Sequence, residues 1–142
     1  MELKSFGSIL SFAAELQSAN VLFYQEAAQN PDCISHKETL DALIKDHKQI
    51  EQRVLKTRRE NVTEMILEPI NGFSSDTFVI GVKDTKGLKL AEIIEKAKST
   101  EKLLGEFYLT AADKIKALPE VAMEMKIIAK KYSAHVEKLI DL

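Results

Sequence analysis

The sequence predicts an all-α protein: four long helices forming two antiparallel helical hairpins, joined by one long crossover. Three observations predict it. The composition is that of a helix-rich chain, 45% apolar and 30% charged, with five glycines, three prolines and no tryptophan. Apolar residues recur at alternating steps of three and four in four separate stretches. A short motif also comes twice, FYQEAA from Phe23 to Ala28 and FYLTAA from Phe107 to Ala112, as expected if one hairpin is used twice.

The first helix is expected over residues 5–29, because Asn30-Pro31 disfavours helical backbone at the residue before the proline. The second is expected over 35–60, where SHKE offers Ser35 as N-cap and Glu38 as its reciprocal partner. The third is expected over 84–117. The fourth, over 119–142, opens on Pro119, which suits a first turn because the missing N–H has no partner there anyway. Helices of about 25 residues span about 37 Å at 1.5 Å per residue. The links Asn-Pro-Asp-Cys and Leu-Pro are so short that the helices they join must be antiparallel neighbours.

Between the second and third helices lies the crossover, residues 61–83, broken by Pro69, Gly72 and Gly81. Its apolar residues Ile66, Leu67, Ile70, Phe73, Phe78 and Val79 are expected to pack onto the bundle. A length of 142 residues fits one domain, residues 1–142, with a buried core.

Charge and cysteine use narrow the function classes. The net charge is -2, with both signs interspersed and no basic stripe, so no nucleic-acid partner is expected. The single Cys33 excludes an internal disulfide and a four-cysteine metal site, and fits a reducing cytoplasm. MELKSFGSILSFAAELQ does not read as a signal peptide, and no 18-residue apolar run suggests a membrane span. A cytoplasmic protein is expected.

Aligned on the two FY pairs, the halves are offset by 84 residues, which sets Gln17 on Glu101 and Tyr24 on Tyr108. The second and fourth helices align at an offset of 85, which sets His47 on Tyr132 and Ile50 on His135. Heptad spacing then gives the core seats. They are Leu10, Ala13, Gln17, Asn20, Tyr24 and Ala27 on the first helix, and Leu40, Leu43, His47, Ile50 and Val54 on the second. The third has Ile94, Ala97, Glu101, Leu104, Tyr108 and Ala111, and the fourth Met125, Ile128, Tyr132, His135 and Leu139. Each stripe is apolar at its ends and polar in its middle. Antiparallel packing puts the middles at one height, so a buried polar layer of Gln17, His47, Glu101, Tyr132 and His135 is expected. Buried polar groups are costly without partners, so a metal ion or a closed hydrogen-bond network must compensate.

With four helices, a long crossover, a two-hairpin repeat and FY following each polar seat, the whole chain resembles the rubrerythrin branch of the ferritin-like superfamily. The resemblance implies a ferritin-like four-helix bundle whose core holds a di-iron site. In that pattern one Glu comes from each of the first and third helices and a Glu-x-x-His from each of the others. The chain departs from it. Glu101 keeps its carboxylate, the matching seat is Gln17, the second-helix seats hold His47 and Ile50, and the fourth-helix seats hold Tyr132 and His135.

One carboxylate would leave two divalent ions to repel each other, so a di-iron centre and its peroxide or dioxygen chemistry are not expected. Glu101, His135 and His47 instead have the composition of a site for one Fe, Mn or Zn ion, with Gln17 and Tyr132 as polar neighbours. Activity, if present, would be that of an iron-dependent oxidoreductase. The alternative is a metal-free bundle whose polar core serves structure or association.

For other residues ordinary roles are expected. Tyr24 and Tyr108 should pack with their hydroxyls on polar neighbours. Glu15, Glu26, Asp46, Glu95 and Glu106 should face solvent, although a one-residue slip would bring Glu15 or Asp46 inward. Cys33 is expected in an accessible turn and His36 in a solvated one. The family commonly forms homodimers, and Phe6, Ile9, Phe12, Leu16 and Phe23 lie off the core stripe, where they could cover the crossover or form a dimer face.

Overall fold

A computed structural model describes residues 1–61, 70–78, 85 and 87–142. Its four helices are α1 (Phe6–Gln29), α2 (Lys37–Glu60), α3 (Leu90–Lys114) and α4 (Pro119–Ile140). No helix among the described residues is long and apolar enough to cross a membrane.

The helix ends show where local chemistry differs from expectation. Ser5 caps α1 reciprocally with Ser8, each backbone N–H donating to the other's hydroxyl at 3.1 Å. After α1, Asn30 rather than Ser35 acts as a cap: its Oδ1 accepts from Asp32 N at 2.9 Å. Pro31 then starts a 3₁₀ turn, Pro31–His36, which takes up Ser35, so α2 begins only at Lys37 without a side-chain cap. The helix expected from residue 84 begins at Leu90, after Gly87 has turned the chain with φ +81°. It ends at Lys114 rather than 117, and α4 ends at Ile140.

The helix directions follow from which side chains meet. Gln17 bonds Tyr108 while Tyr24 bonds Glu101, so α1 and α3 run in opposite senses. Arg53 bonds Glu124 while Asp46 bonds His135, so α2 and α4 are also opposed. Within the second hairpin, Glu101 meets His135 and Tyr108 stacks on Tyr132, which opposes α3 and α4.

The expected seats are buried in every helix with one correction: Ile93, not Ile94, opens the α3 stripe. The polar layer divides the apolar interior into two clusters. One runs through Leu10, Ile50, Leu104 and Met125, the other through Tyr24, Leu43, Ala97 and Leu139. Phe6, Ile9, Leu16 and Phe23 are buried within this chain, and Phe12 packs against the core. Cys33 is fully buried rather than accessible, and His36 is half-buried.

Of the crossover residues expected to pack down, Phe73 and Phe78 are buried and Ile70 packs against the core. Ile66, Leu67 and Val79 lie outside the described residues. Residues 70–75 are held by the extended segment before α1. Leu3 N donates to Phe73 O at 2.7 Å, Ile70 N to Lys4 O at 2.8 Å and Ser75 N to Met1 O at 2.9 Å. The first hairpin's turn grips the start of the second. Asn30 Nδ2 donates to Thr85 O at 2.8 Å and Leu88 O at 3.1 Å, and Asp32 Oδ2 accepts from Leu90 N at 3.1 Å.

Candidate metal centre

All five expected members of the polar layer come together: Gln17, His47, Glu101, Tyr132 and His135 are buried at the middle of the bundle. Glu101 is the hub. Its Oε1 accepts from Tyr24 Oη at 2.6 Å, from His47 Nε2 at 2.6 Å and from Asn20 Nδ2 at 3.4 Å. Its Oε2 faces His135 Nδ1 at 3.3 Å.

Burial pushes the Glu101 carboxyl up, but the charge of His47 and the hydrogen bonds from His135 and His47 outweigh it and hold the group at about 2. Glu101 is therefore an anion throughout the neutral range. Tyr24 is displaced the other way, well above its ordinary value, by burial and then by the charge of Glu101. It stays a phenol and a donor.

The two imidazoles are oriented from outside. His47 presents Nε2 to Glu101 while its Nδ1 meets Gln17 Oε1 at 2.9 Å. His135 presents Nδ1 to Glu101 while its Nε2 meets Asp46 Oδ2 at 3.3 Å. Each ring turns one nitrogen to the shared carboxylate and has an oxygen on the other, the usual way of fixing a ligating histidine. Gln17 is fixed in turn, its Nε2 donating to the hydroxyls of Tyr108, at 2.7 Å, and Tyr132. Burial raises both of those phenols above their ordinary values.

His47, Glu101 and His135 each offer a ligand atom, and the three atoms lie within 4.8 Å of one another. The group could hold one metal ion. Two imidazoles and a carboxylate suit Fe(II), Mn(II) or Zn(II). A cavity of about 110 Å³ between α2 and α4 reaches the centre at His135 and is lined also by Asp46, Gln49, Ile50, Arg53 and Lys131. It has room for water on the outer side of the His135 ring.

Three further residues take part. Asn20 holds a core seat on α1 and joins the polar layer, and a polar residue on a buried stripe is itself the signal for it. Its Oδ1 is buried with no hydrogen-bond partner among the described residues, a state that costs about 1–3 kcal/mol. Asp46, expected at the surface, is half-buried and also approached by Lys138 Nζ at 3.6 Å. Tyr24 was expected to find a polar neighbour, and that neighbour is the central carboxylate. Glu15, Glu26, Glu95 and Glu106 are exposed as expected and take no part. No family model matches this chain, and neither the curated proteins nor the solved structures include a match to it.

Proposed function

We propose that this chain is a rubrerythrin-like protein of ferritin-like architecture that binds a single divalent ion, Fe, Mn or Zn, in its core. His47 Nε2, His135 Nδ1 and the Glu101 carboxylate are the ligands. The observation that carries the reading is the orientation of the two rings: opposite nitrogens face one buried carboxylate, and Gln17 and Asp46 hold the outer ones. The helix senses and the 84-residue repeat support the ferritin-like assignment.

A bound Fe(II) would supply one-electron reduction of a small oxidant such as dioxygen or peroxide. The protein's own part is to set the ligands and limit access. Tyr24 holds Glu101, Gln17 sets the tautomer of His47, and Asp46 sets that of His135. Glu101 and His47 are fully buried, and His135 borders the small cavity. With one carboxylate the ligand set leaves a net positive charge on a divalent ion, which disfavours a second ion beside it.

A second reading has its own observation. Among the described residues, every buried side-chain nitrogen or oxygen of the layer except Asn20 Oδ1 already has a hydrogen-bond partner. A metal-free network serving structure or protein association would look similar. Metal content decides. The chain is incubated anaerobically with Fe(II), Mn(II) or Zn(II), desalted and analysed by mass spectrometry beside His135→Ala. About one ion per chain, lost in the variant, is the expected result. About two would overturn the ligand assignment, and none would leave the metal-free network.

A further inference from the structure

We propose that Asn20 is the fourth ligand, its side-chain oxygen completing a set to which each of the four helices contributes one donor. The inference rests on the single-ion reading above. Asn20 is fully buried on α1, and its amide touches the ligand atoms themselves. Nδ2 lies 3.1 Å from His47 Nε2 and 3.4 Å from Glu101 Oε1.

Without a cation, no orientation of this amide satisfies its surroundings. The 2.6 Å contact between His47 Nε2 and Glu101 Oε1 requires a proton between them. That proton takes the one in-plane bonding direction of Nε2, whichever of the two atoms carries it. Asn20 Nδ2, 3.1 Å from Nε2, therefore has no acceptor there, while Oδ1 has no partner among the described residues. Turning the amide over brings its oxygen to Nε2 instead. It then also sets that oxygen 3.4 Å from the carboxylate oxygen, and leaves the amide nitrogen in the unpartnered position.

A divalent cation replacing the proton shared by Nε2 and Oε1 relieves the crowding among these three atoms and leaves only the amide nitrogen without a partner. The imidazole nitrogen, the carboxylate oxygen and the amide oxygen then all become ligands of one positive centre. Gln17, one turn before Asn20 on the same face of α1, is already engaged with His47, Tyr108 and Tyr132. The resulting donors are two imidazole nitrogens, one carboxylate and one neutral oxygen, a set for hard to borderline divalent ions rather than soft ones.

The test uses Co(II), whose visible spectrum reports its ligands, with wild type, Asn20→Ala and Asn20→Asp. Affinity is measured by competition with a chelator, and melting curves of the metal-free proteins check folding. Wild type should bind one Co(II). Asn20→Ala should bind it at least about tenfold more weakly, since even an outer partner of a ligand is typically worth 10–100-fold. Asn20→Asp, which keeps the shape and adds charge, should bind at least as tightly with a shifted spectrum. If Asn20→Ala does not fold, the Asp variant carries the test. Wild-type affinity and spectrum in every folded variant would overturn the Asn20 assignment and leave the single-ion reading intact. No Co(II) on the wild type would overturn both.

Discussion

Gln17 and Glu101 hold the same seat in the two halves of the chain, and each is bonded to the tyrosine seven residues along in the other half. Gln17 Nε2 donates to Tyr108 Oη at 2.7 Å, and Tyr24 Oη donates to Glu101 Oε1 at 2.6 Å. The exchange is what a two-fold relation between hairpins produces. The chemistry breaks the symmetry, because one seat is a neutral amide and the other a buried anion. Around the anion gather both core histidines, so the site is single although the scaffold is doubled.

Glu101→Gln should abolish metal uptake while leaving a folded bundle. It keeps the side chain's shape but removes the charge that any ion here must balance. Metal content after desalting, with far-ultraviolet circular dichroism as the folding control, checks this. Retained stoichiometry would exclude Glu101 as a ligand.

Acid should weaken the fold in a definite window. The Glu101 carboxyl is depressed from 4.5 to about 2, so its stabilisation is fully present above about 4.5 and is lost as pH falls towards 2. Melting temperatures of the metal-free protein should fall across that interval. Glu101→Gln should lack that part of the slope, and an unchanged slope would mean that other carboxylates dominate acid unfolding.

Tyr24→Phe removes a hydrogen bond to a buried charge, an interaction worth about 1.5–3 kcal/mol. Tyr108→Phe removes one between neutral groups, for which about 0.5–1.5 kcal/mol is usual. Chemical denaturation of the two variants should therefore rank Tyr24→Phe as the more damaging, despite their equivalent places in the repeat. Equal losses would mean that the charge on Glu101 contributes little to the Tyr24 bond.

Asp46→Asn keeps the half-buried shape beside His135 but exchanges a carboxylate for an amide. Metal affinity should fall by about 10–100-fold with stoichiometry unchanged, the usual effect of losing an outer partner of a ligating histidine. Asp46→Glu should recover part of the loss. Competition titrations across the three proteins measure it, and unchanged affinity in Asp46→Asn would remove Asp46 from the centre.

Gly105→Ala is a prediction about the scaffold alone. Gly105 lies within α3, where glycine costs about 0.5–1 kcal/mol relative to alanine. An added Cβ would meet Tyr132 Cβ at 3.5 Å, ordinary van der Waals contact. The variant should be stabilised by about that amount in urea titrations. Destabilisation would mean that α3 and α4 cannot accept the methyl group at this point.

Much of this centre was readable from the sequence because heptad periodicity assigns a burial to each seat, and a polar residue on a buried seat must be compensated. That reasoning brings His47, Glu101 and His135 to one height in the core, where the structure has them. It failed where direction or competition decides. Ser35 and Glu38 had the spacing of a capping box, but Pro31 had already committed that stretch to a 3₁₀ turn capped by Asn30. Asp46 lay off the stripe, and only the distance between α2 and α4 shows that its carboxylate reaches His135. Which nitrogen of each ring faces Glu101 is a matter of rotamer, which residue spacing does not encode.

The grip of Asn30 and Asp32 on residues 85–90 bears on how the protein tolerates rearrangement. Thr85 and Leu88, just before α3, and Leu90, its first residue, are fastened to the turn of the first hairpin by three hydrogen bonds. The chain should work as two separately expressed pieces that reassemble when mixed, one bringing Asn20 and His47, the other Glu101 and His135. Neither piece holds all of the proposed ligands, so metal binding that appears only on mixing would be a direct assay of assembly.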